Sequence, residues 1–421
     1  VQPIRIALLC GLALVGCSDD AAPPATVEAG GAPVAEPAGI DPRPIHAAAL
    51  TLDTHVDIPL DFATDSVDPL DSDEQASLRK MQEGGLDAAF FIVYVGQTAR
   101  TPENYAQAQN DAMMKFDAIH RMTEDLYPDR IGLAYRADDV ERIAAEGKLV
   151  AAIGIENGYV FGTDLDLLDR YYELGARYVT LVHNGHNDVA DSANPRPENG
   201  DAPAEHDGIS EFGARAIERM NALGIMVDIS HASKQSALEA VRLSRAPVIA
   251  SHSGVRARAD HPRNLDDETL LALKDNGGVV QIVAYEAFVK VQPPEHGEAM
   301  QALQTRLGLE SPVDPMALPE QVRFEFLRGV RDMQAQWPPA NVQDFVDHID
   351  YAVRLIGIDH VGISSDFGGG GGIMGWTDAR ETPNVTNELV ARGYSAEDIG
   401  KLWSGNLLRV WREVERISET R

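Results

Sequence analysis

The feature that most constrains this chain is a rhythm: eight short apolar runs with strand character, separated by stretches with helical spacing. The runs are Leu52–Ile58, Leu86–Val95, Leu149–Glu156, Ala176–His183, Met226–His231, Pro247–His252, Gly278–Tyr285 and His360–Asp366. Helical patterns fall at Pro102–Tyr127, Leu165–Leu174, Ser210–Leu223, Lys234–Ser244, Asp266–Asn276 and Val342–Ile356, and two more near Thr386–Arg392 and Ala396–Val414. Strands alternating with helices predict a parallel sheet, most simply a (β/α)8 TIM-like barrel. A doubly wound open sheet is the other fold with this rhythm. Its dinucleotide-binding form is excluded, because no Gly-x-Gly-x-x-Gly follows the first strand. The glycine run Gly368–Gly372 lacks the Lys-Ser/Thr of a phosphate-binding loop and reads as a mobile loop beside an active site. The chain shows no internal repeat.

In a barrel the active site lies at the C-terminal ends of the strands. Here those ends carry His55 and Asp57, Glu156, His183, His231, His252 and Asp366, which takes in four of the chain's 12 histidines. His55 and Asp57 are two residues apart and leave the same face of their strand, so an imidazole and a carboxylate aim at one point. Three histidines (His55, His231, His252), Glu156 and one or two aspartates are too many ligands for one tetrahedral metal. They suit a binuclear site in which two metals share a bridging carboxylate and activate the water between them. Glu156 is the natural bridge, because an unpaired carboxylate in Ile-Gly-Ile-Glu-Asn-Gly would be costly to bury. No lysine ends a strand and the first strand holds His-x-Asp, which argues against binuclear barrels bridged by a carbamylated lysine. Taken singly, each residue has a plainer reading. His183 could be a rim histidine, Arg263 a surface charge in a turn, and Asp366 an orienting partner of a ligand histidine.

The stretches Asp53-Thr-His-Val-Asp-Ile-Pro59, Gly84-Gly-Leu-Asp-Ala-Ala-Phe90, Ile153-Gly-Ile-Glu-Asn-Gly158 and Arg177-Tyr-Val-Thr-Leu-Val-His183 with Ala190-Asp-Ser192 stand in a recognisable order. They are followed by Val227-Asp-Ile-Ser-His231, Ala246-Pro-Val-Ile-Ala-Ser-His-Ser253, Arg263-Asn264 and His360-Val-Gly-Ile-Ser-Ser-Asp-Phe367. As a set they resemble the membrane (renal) dipeptidase family of zinc metallopeptidases, over roughly residues 45–415. The resemblance implies two Zn2+ per subunit, one held by His55, Asp57 and Glu156 and the other by Glu156, His231 and His252. It implies that His183 steadies the scissile carbonyl, Arg263 pairs with the substrate's C-terminal carboxylate, and Asp366 is the catalytic acid/base. Tyr285 is a further candidate for lining the pocket. The implied reaction is hydrolysis of small dipeptides, L,L and L,D, by a metal-bridged hydroxide, in a homodimer. One departure stands out: the family's Asp-Phe-Asp-Gly is here Asp366-Phe367-Gly368-Gly369, which alters a loop of the catalytic face. Two long segments on that face, Val291–Ala340 and Asn184–Ser210, bear on specificity in the same way. An amidohydrolase acting on N-acyl amino acids or a lactam, and a non-catalytic binding protein on the same barrel, are the other functions this pattern allows. The second would need a lost ligand or a lost Asp366, and none is lost.

Charge and the N-terminal segment bound the setting. The formal charge of −30, from 66 acidic and 36 basic residues, excludes a nucleic-acid partner. The only cysteines are Cys10 and Cys17. Arg5, an apolar run from Ile6 to Val15, and Leu14-Val15-Gly16-Cys17 resemble a bacterial lipoprotein signal with its lipobox over residues 1–17. This predicts a lipid anchor on Cys17 and a periplasmic or cell-surface location. Residues 18–44, rich in Ala, Pro, Gly and acids, read as a flexible tether to a barrel domain over 45–421. His46, His120, His296 and His348 are expected at the surface and His360 at the stability face of the barrel. Nothing selects His186 or His206 for function.

Overall fold

A computed structural model describes residues 40–310, 313 and 318–419. The lipoprotein-signal segment, Cys17 and most of the predicted tether lie outside the described residues. The described strands are β1 (Leu52–Asp57), β2 (Ala88–Tyr94), β3 (Ile131–Leu133), β4 (Leu149–Glu156), β5 (Ala176–Thr180), β6 (Met226–Asp228), β7 (Ile249–Ser253), β8 (Val279–Val283) and β9 (Val361–Ser364). All pair in parallel, in the order β1-β2-β4-β5-β6-β7-β8-β9. The ring closes where the Asp57 amide donates to the carbonyl of Phe367 at 2.8 Å, just beyond β9. This is the expected (β/α)8 barrel.

The sequence pattern did not reveal β3. It pairs with the first residues of β4 (Ile131↔Leu149 to Leu133↔Ala151), filling the gap before β5 begins opposite Ile153. Three residues, one of them Gly132, are too few to display a period. The segment placed in the tether also starts to fold earlier than expected, because Pro42–Ala48 is a helix capped by Asp41. His46 in that helix is buried rather than exposed, hydrogen-bonded to Thr386 Oγ1 (2.8 Å) and to the Gly84 carbonyl (2.9 Å). His348 is likewise buried, between the Val255 amide and the Val289 carbonyl. In both cases, helical spacing alone could not say which face meets the barrel. His360 sits at the N-terminal side of β9 on the Gly278 carbonyl, as expected.

Alternation along the strands builds two layers. Phe90, Ile92, Val150, Ala152 and Tyr178 point into the barrel. Their neighbours Phe91, Val93, Ala151, Ile153 and Val179 pack outward against the helices. The inner layer continues into Leu407, Leu408 and Trp411 of the C-terminal helix Asn406–Glu419. Above it, at the other end of the barrel, the interior turns polar. The segment Val291–Ala340 forms the helices Pro294–Leu307 and Glu320–Gln336, which share a small core of Leu303, Phe326 and Met333. No helix among the described residues is long and apolar enough to cross a membrane.

Candidate metal centre and active site

Glu156 owes its position to simple alternation. Val150 and Ala152 face inward, so Gly154 and Glu156 do too, and Glu156 ends β4 at the top of the barrel. The intervening glycine has a packing reason: a Cβ on Gly154 would lie 2.2 Å from Cζ of Tyr178. The other donors need irregular backbone. A register shift in β1 between Asp53 and Val56 changes the parity of the strand and turns His55 and Asp57 inward. A shift in β7 between Ala250 and Ser253 does the same for His252. His231 and Asp366 lie beyond the regular parts of β6 and β9, in left-handed backbone at φ 66° and 61°. The ladders at β5, β6 and β9 stop short of the predicted ends at His183, His231 and Asp366. There, side chains replace strand partners: Asp228 takes the Ser230 and Ser251 amides, and Asp53 takes those of His55 and Ser365.

The donors converge on Glu156, whose two oxygens face different partners. Oε2 lies 3.6 Å from His55 Nε2, which is also 3.3 Å from Asp57 Oδ2 and 3.8 Å from Asp366 Oδ1. Oε1 lies 3.0 Å from His231 Nε2, 3.4 Å from His252 Nε2 and 3.7 Å from His183 Nε2. Two candidate metal sets result, His55–Asp57–Glu156 and Glu156–His231–His252; a third grouping joins His55, His252 and Asp366.

Proton bookkeeping tests whether cations fit. The Tyr178 hydroxyl donates its one proton to the Thr54 carbonyl (3.0 Å), so at 2.9 Å it accepts from His55 Nδ1. Ser251 Oγ donates to Asp228 Oδ2 (2.6 Å), so it accepts from His252 Nδ1 (2.8 Å). Each imidazole, when neutral, therefore turns the lone pair of Nε2 toward the cluster. His55 Nε2 is buried with no hydrogen-bond partner, facing carboxylates, and His252 Nε2 meets His231 Nε2 at 2.9 Å. The His55 and His252 lone pairs face carboxylate oxygens at 3.3–3.6 Å, an arrangement that repels unless a cation lies between. The donor set fits divalent metals.

Electrostatics agree with that geometry. Burial lowers His231 and His252 well below the usual histidine range, keeping them neutral as ligands must be. Burial pulls His55 the same way, but Glu156 and Asp57 outweigh it and hold it well above, so in the metal-free cluster His55 carries a proton that a divalent metal would displace. Burial would raise Glu156, yet the surrounding imidazoles hold it well below the carboxylate range. Asp366 is held well above that range by burial and by Asp57 and Glu156, against the pull of His55.

Above the cluster opens a cavity of about 640 Å³ lined by Asp57, Glu156, His183, His231, His252, Arg263, Tyr285 and Asp366. His55 lies fully buried beneath it. Arg263 is not the surface charge that its turn suggests; it is 2 % exposed. Its guanidinium lies 5.2 Å from the Phe288 ring centre, donates to the His252 carbonyl at 3.4 Å, and leaves Nε without a partner. Burial pulls its pKa down to about 10. Tyr285 stacks on the same Phe288 at 4.4 Å. The loop Gly368–Gly372, expected to be mobile, is tied down. Gly371 and Gly372 donate to the carbonyls of Asp366 and Ala284, and Gly368 to Gln75 Oε1. It packs so closely that a Cβ on Gly369 would lie 2.4 Å from Asp57 Oδ2. His186 is buried on the Ala202 carbonyl and the Ser192 amide, a structural role. Sequence reasoning missed Tyr178, Ser251 and Asp228, which orient the candidate ligands His55 and His252, and Lys115 and Tyr94 on the cavity wall. Lys115 carried a readable signal, since it stands in the buried helical stripe of Ala108, Ala112 and Ile119.

A buried cluster of this donor set, at the C-terminal mouth of a (β/α)8 barrel, marks a metal-dependent enzyme. A sequence profile of the membrane dipeptidase family, peptidase family M19, matches residues 41–421, and the chain belongs to that family. It is 31% identical over 346 residues to dipeptidase tcpJ of Claviceps purpurea, a match spanning 81% of this chain and 69% of that one. The crystal structure of the probable dipeptidase PvdM from Pseudomonas aeruginosa is similar at a TM-score of 0.78 and 37% identity, over 89% of this chain and 98% of that one. A metallo peptidase from Rhodobacter sphaeroides, solved with a phosphinate mimic of the dipeptide L-Ala-D-Ala, shares the fold at a TM-score of 0.66 and 22% identity, over 87% and 99% of the two chains. The chain is thus a metal-dependent peptide-bond hydrolase, as its motifs implied.

Proposed function

We propose that this enzyme hydrolyses L,L- and L,D-dipeptides with two zinc ions, one on His55, Asp57 and Glu156 and the other on Glu156, His231 and His252. The observation that carries the reading is the split of Glu156, one oxygen toward each histidine set. When bound, the metals supply an activated water and polarise the scissile carbonyl. The side chains do the rest. Arg263 has unused donors in a buried site and forks onto the substrate's C-terminal carboxylate. That contact places the scissile carbonyl beside His183, which burial keeps neutral, so that it donates a hydrogen bond to the developing oxyanion. Asp366, at the cavity floor beside the His55 set, is held protonated in the metal-free cluster and would ionise once metal charge offsets Asp57 and Glu156; it then accepts the proton of the attacking water and returns it to the leaving amine. Tyr285 walls the carboxylate end.

The Leu-Val-Gly-Cys17 motif supports lipidation at Cys17 and a bacterial periplasmic or cell-surface location; Cys17→Ser should release the protein from membranes. The family resemblance supports a homodimer, which sedimentation would check. The central test is metal analysis combined with a screen of L,L- and L,D-dipeptides on zinc-loaded protein. Two equivalents of metal and release of two free amino acids are expected. A folded preparation that takes up no zinc, or a zinc-loaded one inert on all dipeptides, would remove this reading.

A further inference from the structure

Lys115 takes no part in the reaction described above, yet it reaches the same cavity. It lies on the helix Pro102–His120 that follows β2 and is 5 % exposed. Its ammonium stands 5.4 Å from the ring centre of Tyr94 and makes no ion pair or hydrogen bond among the described residues. The Tyr94 hydroxyl also lacks a hydrogen-bond partner there, while its ring lies 4.8 Å from that of His183. A lysine in an apolar helical stripe loses rotamer freedom and hydration, and here only the Tyr94 ring and more distant carboxylates offset that loss. Burial accordingly pulls its pKa down, although Asp57 and Glu156 oppose the shift.

Strand order says what the ammonium faces. Counted round the barrel, β2 and β7 lie four strands apart in either direction. Lys115 and Arg263, which follow those strands, therefore enter the cavity from opposite rims, with Glu156 and His183 between them. A dipeptide with its carboxylate on Arg263 and its carbonyl beside His183 carries its N-terminal residue toward Lys115. The cationic α-amine of that residue has an acid to meet at the neighbouring β1 rim, Glu74, which no metal set uses. Lys115 and the Tyr94 hydroxyl are left for the side chain, and together they suit an anion.

We propose that Lys115 and Tyr94 form an anion subsite for the side chain of the N-terminal residue, so that the enzyme prefers dipeptides beginning with glutamate or aspartate. The inference rests on the dipeptidase reading. The test compares kcat/KM for L-Glu-L-Ala and L-Gln-L-Ala, which match in shape and differ in charge. The zinc-loaded wild type, Lys115→Met and Lys115→Arg are measured at physiological salt. The wild type should favour Glu-Ala about tenfold, the size of one charge-assisted contact, and chiefly through KM. In Lys115→Met that ratio should fall to one or below, and Lys115→Arg should restore part of it. A wild-type ratio at or below one overturns the subsite without any variant. So does a Lys115→Met that slows both substrates equally. Wild-type enzyme inert on both substrates and on every other dipeptide refutes the dipeptidase reading itself, and this inference with it.

Discussion

Tyr178→Phe isolates the cause of the His55 geometry. The tyrosine hydroxyl is the only group lost. The ring keeps its place against Phe90, 5.2 Å away between centres, and Gly154 still leaves it room. Two buried hydrogen bonds disappear, to Thr54 O and His55 Nδ1. Each stranded polar group costs about 1–3 kcal/mol, so with two of them urea unfolding of the metal-free protein should show a loss of about 2–6 kcal/mol. The sharper consequence concerns metal. Without an acceptor at Nδ1, neither the tautomer nor the orientation of His55 is fixed. Losing such a partner typically weakens a metal site about 10- to 100-fold, or ~1.4–2.7 kcal/mol. Titration of the metal-free variant with zinc against a chromophoric chelator should show one site weakened by that factor. The set of Glu156, His231 and His252 has its own orienting chain through Ser251 and Asp228, and its affinity should stay close to that of the wild type. Wild-type affinity at both sites would refute the argument that Tyr178 holds His55 in its ligating form.

Glu156→Gln keeps the shape and removes the charge shared by both histidine sets. Zinc stoichiometry should fall below two equivalents and turnover should be lost, whereas a fully loaded variant would deny the bridging role. Arg263→Met should raise KM for dipeptides by at least tenfold while a C-terminally amidated analogue loses little; equal losses would separate Arg263 from the carboxylate. His348 offers a pH test remote from the metal donors. Its Nδ1 accepts the Val255 amide, and burial pushes its pKa down to about 4. The unfolded chain binds this proton near pH 6.5 and the native state does not, so stability falls as the pH drops from 6.5 toward 4, by about 3 kcal/mol at most. In His348→Gln that part of the slope should vanish from urea midpoints of the metal-free protein.

How much of this was legible in the sequence depends on backbone regularity. Glu156 was fully legible: it follows from period-two alternation along Val150, Ala152 and Gly154, and the structure keeps that register without a break against β2. His55, Asp57 and His252 could be placed near strand ends, but the bulges that turn them inward have no residue signature in Asp-Thr-His-Val-Asp or Ala-Ser-His-Ser. Arg263 read locally as a surface turn, because its burial is set by Phe288 from the next βα unit, a contact no local pattern contains. β3 was missed because three residues carry no period, and His46 and His348 because an amphipathic helix hides a lone buried imidazole among polar neighbours. Strand identity and strand-end chemistry survive in sequence. What depends on which helix covers which rim does not.

Asp366 shows what the site costs the fold. Its φ of 61° places a non-glycine residue in left-handed backbone, at about 1–2 kcal/mol, and its carboxyl is buried beside Asp57 and Glu156. Glycine would remove both burdens, and the next residues but one are glycines already. On the proposed mechanism an aspartate stands there for its carboxylate. In ordinary backbone Ala is more stable than Gly, since glycine leaves the unfolded chain freer. At this position the order should reverse, with Asp366→Gly more stable than Asp366→Ala by about 1 kcal/mol in metal-free protein. Both variants should lose turnover by two to four orders of magnitude, about the contribution of a positioned acid/base. Alanine equal to or above glycine would mean the backbone is unstrained. Turnover surviving in either variant would mean that something other than proton transfer keeps an aspartate at the end of β9.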